Sequence, residues 1–146
     1  MKTHTVKAGD ITQQWYVVDA TEKALGRLAS AVAIVLRGKH RPDFSPHLDL
    51  GDHVIVVNAD KIYLSGKKSE QKIYYSWSGY PGGLKVRRID EVMKKDPTRV
   101  FRRAVRGMLP PNRLRTHYLR KLKIYVGPEH PHKAQAPKDF KSLINV

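Results

Sequence analysis

The sequence predicts an α/β fold: a small, mostly parallel sheet with helices on its faces, plus a basic β-hairpin and an extended C-terminal tail. Three observations carry this. Strand, helix and strand signals follow one another over residues 15–59, the βαβ pattern that favours parallel pairing. Residues 72–89 hold two strand-like runs around "SGYPGG", which reads as a hairpin. Residues 128–146 carry Pro128, Pro131 and Pro137 and read as a tail wrapped over the surface. The 146 residues suit one domain, residues 1–146, with a core over about 15–127.

Each element has its own signal. "WYVVDA", 15–20, is a short aromatic and β-branched run. In "TEKALGRLASAVAIVLRG", Leu25, Leu28, Ala29, Val32 and Leu36 form a helical stripe, and Gly38 sits where a C-terminal cap belongs. "HVIVVNA", 53–59, is apolar without alternation, so burial on both faces is expected. In the hairpin, Ile73, Tyr75 and Trp77 alternate onto one face and read as packing, while Tyr80 in the turn is offered to a partner. Helices are expected over 90–95 and 98–108, until Pro110 and Pro111 break the chain. A short helix near 113–120 then leads to a last strand, "KIYVG", 123–127.

Composition removes several chemistries. There is no cysteine, hence no disulfide, Cys-ligated zinc, iron–sulfur cluster or thiol nucleophile. The longest uncharged apolar stretch, "LASAVAIVL", 28–36, falls well short of the roughly 18 residues of a membrane span. "MKTHTVKAGD" lacks the apolar segment of a secretory signal. "SGKKS" fails as a phosphate loop, because Lys61 stands where the first glycine is needed and Lys68 where Ser or Thr would bind magnesium. The first strand-to-helix turn has only Gly26, so the dinucleotide fingerprint is missing. "HPH", 130–132, has no nearby third ligand. Ser65 and Lys68 match S-x-x-K without the accompanying motifs. No catalytic residue, metal site or cofactor is expected.

The charge points elsewhere. Lys and Arg number 28 against 13 Asp and Glu, a net +15. Such an excess repels itself and suits a polyanion, nucleic acid ahead of an anionic membrane or an acidic protein. In "PTRVFRRAVRGMLP", Arg99, Arg102, Arg103 and Arg106 fall at i, i+3, i+4 and i+7 and share one helix face. Val100, Phe101, Ala104, Val105 and Met108 take the other. Like charges so spaced cost about 0.2–0.5 kcal/mol per pair. An ordinary solvated face mixes signs. Arginine is the side chain of planar, two-pronged phosphate contact.

Further basic groups stand in "RGKHR" (Arg37, Lys39, His40, Arg41), in "GKK" (Lys67, Lys68) and at Lys85 of the hairpin. Between Asp96 and Glu129 no acid occurs, while Arg113, Arg115, Arg120 and Lys121 add to the helix arginines. Together with Tyr80, these are the candidate RNA-binding residues. The basic turns and hairpin would supply reach and the βαβ core rigidity.

Five blocks in order carry a family resemblance: "WYVVDA…LGRLAS…LRGKHRPDFSPH", "GDHVIVVNADKIYLSGKK", "YYSWSGYPGGLK", "VRGMLP" and "KLKIYVGPEHPHKAQ". Over residues 15–137 the chain resembles the bacterial-type large-subunit ribosomal protein thirteen family. Its ending is similar to bacterial or organellar members. Two departures stand out: Arg115 and Thr116 follow "NRL" where the family often has a Gly-containing element, and Trp77 occupies a position where histidine is common.

The resemblance implies an α/β domain without catalytic activity, in the cytoplasmic or an organellar ribosome. It implies binding to large-subunit ribosomal RNA early in assembly, beside neighbouring large-subunit proteins. The family's basic blocks fall on Arg37, Lys39, His40 and Arg41, on Lys67 and Lys68, and on the helix ending at Met108. Some members also act on their own messenger RNA, so a free-standing messenger-RNA regulator is the alternative. No membrane partner is expected.

Overall fold

A computed structural model describes residues 6–142; the end of the tail, 143–146, and the first five residues lie outside the described residues. The chain opens with β1 (Trp15–Asp19), α1 (Leu25–Arg37) and β2 (His53–Val57). The two strands pair in parallel, with Tyr16 opposite Val54 and Val18 opposite Val56. This is the expected βαβ unit. The stripe of Leu25, Leu28, Ala29, Val32 and Leu36 is buried along α1, as read from its spacing.

The helix stops at Gly38, whose φ of +85° is left-handed and whose N–H donates to the carbonyls of Ile34 and Val35. Gly51 packs beneath that end. A Cβ there would lie 1.8 Å from the Leu36 carbonyl oxygen, so the loop can approach α1 only without a side chain.

Next come α2 (Lys68–Gln71), β3 (Ile73–Trp77) and β4 (Leu84–Arg88). The two strands form the expected antiparallel hairpin, from Ile73 opposite Arg88 to Trp77 opposite Leu84. Then follow α3 (Ile89–Lys95), α4 (Pro97–Met108), α5 (Leu114–Arg120) and β5 (Leu122–Ile124). The last strand is shorter than read, although Tyr125 N–H still donates to Val56 O at 2.8 Å.

The tail adds an unforeseen strand, β6 (Lys138–Asp139), parallel to β1. Two charged residues give no strand pattern. The buried Phe140 beside them holds the segment in place. The four strands run in the order β5-β2-β1-β6, all pairs parallel.

Tyr16, Val18, Val54 and Val56 face a core shared with α1, with Val100, Phe101 and Val105 of α4, and with Tyr118 of α5. On the strand positions between them, Ile55 and Val57 are buried too, so β2 is covered on both faces as its apolar run required. At one end of that second face Trp15 stacks on His53 at 4.2 Å, and His132 of the tail lies 5.1 Å from Trp15.

Two packing expectations are corrected. Ile73, Tyr75 and Trp77 do share a face, but it is exposed, Trp77 by 69%. A two-stranded hairpin has no second layer, and only Tyr74, on its other face, packs against the core. Met108 is also exposed, because α4 ends there and the next residue, Leu109, takes the buried position.

Candidate nucleic-acid interface

Helix α4 is the centre of the candidate site. Asp96 precedes it and Pro97 is its first residue, where a missing N–H costs nothing. Asp96 accepts the Thr98 hydroxyl at 2.6 Å, and this bond holds its carboxyl below the usual aspartate range. Val100, Phe101 and Val105 anchor one face in the core. That leaves Arg99, Arg102, Arg103 and Arg106 exposed on the other.

These arginines line a groove of about 1160 Å³ between the hairpin, α4, α5 and β5. Lys85 and Arg87 enter it from β4, Arg115 and Arg120 from α5, and Lys123 from β5. Nine cations therefore converge, and none of the lining residues is acidic. Among the described residues, none of the nine lies within ion-pair distance of a carboxylate. The self-repelling helix face is thus the wall of a larger cationic surface built from three separate stretches of chain.

Arg103 has a second task. Its guanidinium lies 4.5 Å from the Tyr74 ring centre, and its Nη2 donates to the Tyr75 carbonyl at 3.0 Å. It thereby ties the hairpin to α4 and fixes one wall against the other. Burial pushes the Tyr74 hydroxyl up from its ordinary value, with the Arg103 charge opposing. A smaller recess of about 230 Å³ adjoins at the start of α4, where Asp96 and Glu91 face Arg87, Lys95 and Arg99. The acids sit at that end only.

Some expected residues are placed away from the groove, and three of them are engaged by acidic side chains of the chain itself. Lys121 is 5% exposed; its ammonium donates to the Asp49 carboxylate and to the Gly51 carbonyl. Burial lowers its pKa, with Asp49 acting in the opposite direction. It is an internal group, because the step from α5 to β5 turns it toward the loop before β2 while Arg120 faces the groove.

His40 lies against Asp52 at 2.8 Å, and Arg41 is held by Asp43 at 3.1 Å and by the Thr12 carbonyl at 2.7 Å. Both brace the loop after α1 instead of reaching outward. Arg37 lies over the Phe44 ring at 5.4 Å, and Lys39 is exposed. Lys67, Lys68, Arg113 and Tyr80 are exposed but do not line the groove. Lys68 donates to the Ser65 hydroxyl at 2.9 Å.

Arg87 and Lys123 line the groove and were not among the candidates. Arg87 had a usable signal: it stands two residues after Lys85 on one strand and so shares its face. Lys123 had only its place in the acid-free interval.

Among the described residues no cluster of three or more His, Cys, Asp or Glu could hold a metal ion, and no helix is long and apolar enough to cross a membrane.

The family described as "Ribosomal protein L13" matches residues 13–131. The chain is 57% identical over 140 residues to the "Large ribosomal subunit protein uL13" of Mycolicibacterium smegmatis, covering 96% of this chain and 95% of that one. It is 56% identical over 140 residues to the protein of the same name from Roseiflexus sp., covering 96% of each. For the Kocuria rhizophila protein, also so named, the identity is 54%, across 96% of this chain and 95% of the relative. A match spanning most of the chain, with relatives more than half identical along nearly all of it, makes this chain a member of the ribosomal protein L13 family.

Proposed function

We propose that this chain is a structural, non-enzymatic constituent of the large ribosomal subunit in the cytoplasm. On this reading it binds large-subunit ribosomal RNA through the groove and supports early assembly beside neighbouring large-subunit proteins. The observation that carries the reading is the acid-free groove itself, with nine cations drawn from β4, α4, α5 and β5. Its chemistry is charge neutralisation by fixed guanidinium and ammonium groups.

The major groove of A-form RNA is too narrow for side chains, so recognition rests on backbone and shape. Phosphate contacts then set position and register. Counterions released from the RNA drive the association. Half-buried Arg37 and exposed Lys39, Lys67, Lys68, Arg113 and Tyr80 are secondary contacts for converging RNA segments. His40, Arg41 and Lys121 hold the scaffold that presents them.

Density-gradient fractionation of cells carrying tagged chain tests this. The wild-type chain is expected to sediment with the large subunit. A chain with Arg102→Gln and Arg106→Gln is expected near the top of the gradient, with incomplete large subunits accumulating. Wild-type chain that stays away from the large subunit would sink the proposal and favour a free messenger-RNA regulator. A variant that assembles as well as wild type would remove the groove from it.

A further inference from the structure

The hairpin has two different faces. The register places Tyr74, Ser76, Lys85 and Arg87 on one side, and all four line the groove, which Tyr75 of the other side also borders. The other side carries Ile73, Tyr75 and Trp77 opposite Arg88, Val86 and Leu84. There the aromatic and aliphatic side chains are exposed by 41% to 69%. The Tyr75 carbonyl accepts the Arg103 bond, so this face is fastened to α4 through its backbone. None of its aromatic and aliphatic side chains belongs to the hydrophobic core.

We propose that this outer face, centred on Trp77 and Tyr75, is a stacking platform for unpaired bases of the RNA whose phosphates occupy the groove; the proposal rests on the RNA-binding reading above. The first reason is Trp77. Its indole N–H donates to the Tyr80 carbonyl at 3.1 Å, so the ring is held in place with its only donor already used. What it presents outward is a pre-oriented aromatic surface.

The second reason is charge. Arg88 shares the aromatic face, Lys85 and Arg87 stand on the groove face of the same narrow hairpin, and no acidic residue occurs between Glu70 and Asp90. A second copy of this +15 chain would be repelled, whereas a polyanion is attracted. The third is continuity. One narrow hairpin separates the platform from the groove, so a strand passing its edge can place phosphates on one side and bases on the other. Aromatic faces beside a cationic track are the combination that binds unpaired strands without reading sequence.

The rival occupant is the apolar surface of a protein neighbour, and the experiment separates the two. Binding of the full chain is measured to an unstructured 12-nucleotide RNA and to an abasic oligomer with the same backbone, at fixed salt. Wild-type chain is expected to prefer the base-bearing strand by about tenfold, with quenching of Trp77 fluorescence read against Trp77→Phe. Trp77→Ala is expected to abolish most of that preference and leave the salt slope unchanged, since no charge is lost. Trp77→Leu keeps an apolar group and is expected to behave like the alanine variant.

Equal binding of the two oligomers by wild-type chain would overturn the platform. So would full retention of the preference in the leucine variant, which would mean that stacking on Trp77 is not what holds the bases. Arg102→Gln with Arg106→Gln is expected to weaken both oligomers alike and flatten the slope. A variant that failed in that arm alone would count against the groove and leave the platform standing.

Discussion

Replacing Arg102 and Arg106 by glutamine should weaken RNA binding and strengthen the free protein at the same time. Both side chains are exposed, so no core contact is lost. Glutamine has nearly the helix propensity of arginine. The pairs Arg99–Arg102, Arg102–Arg106 and Arg103–Arg106 at i, i+3 or i, i+4 disappear, relieving about 0.6–1.5 kcal/mol at low salt. For a chain of this size that raises Tm by a few degrees.

Binding moves the other way. Two neutralised duplex phosphates account for about 1.8 of the slope of log affinity against log salt. Over 50 to 200 mM salt, the advantage of the wild type over the variant should therefore shrink about twelvefold. The assays are thermal unfolding without RNA and filter binding to large-subunit rRNA fragments across that salt range. A variant that melts lower, or one with an unchanged slope, would refute the idea that this face is held in repulsion for a phosphate ligand.

Other expectations concern the scaffold. Lys121→Met should leave RNA affinity within about twofold of wild type, because the ammonium is internal. It should destabilise the fold by about 1–3 kcal/mol in urea titrations, less than the 3–5 of a fully buried pair, since the Asp49 side chain is 27% exposed and water can reach it. A large loss of affinity without destabilisation would return Lys121 to the RNA surface. Gly51→Ala should cost about 3 kcal/mol, as its Cβ meets the Leu36 carbonyl at 1.8 Å; near-wild-type stability would contradict that close approach.

Burial beside Trp15 holds the His53 imidazole below its usual 6.5, with Lys121 and Lys123 acting the same way against Asp49 and Asp52. The unfolded chain therefore takes up this proton first. The stability His53 contributes is present above about pH 6.5 and is lost as pH falls below it. Urea midpoints between pH 7.5 and 5.5 should fall less steeply for His53→Gln than for wild type; parallel profiles would exclude His53 as the cause.

The parts of the fold that could be read ahead are those with long, unambiguous periods. The α1 stripe and the unbroken apolar run of β2 each require one environment, and each found it. The arginine face of α4 was legible for the same reason. β6 was not, since Lys138 and Asp139 carry no alternation and pair only because Phe140 is anchored. Alternation in β3 showed correctly which residues share a face, but whether anything covers that face is a tertiary fact.

The site divided along the same line. Arg120 and Lys121 are neighbours in one basic run, yet one faces the groove and the other is buried. The difference is made by Asp49, 72 residues away. His40 and Arg41 likewise found acids within their own loop that a count of cations did not weigh. A charge run predicts a polyanion; only the fold shows which members of the run face the groove and which are turned inward.

The central claim, that the groove between the hairpin, α4 and α5 is an RNA-backbone site, is tested most directly by a reconstruction of the large ribosomal subunit that contains this chain. It should show rRNA phosphates within direct contact distance of Arg102 and Arg106, with backbone continuing past Arg87, Arg115 and Lys123. A groove that opens to solvent, or is filled by another protein while RNA meets the chain elsewhere, would contradict the account.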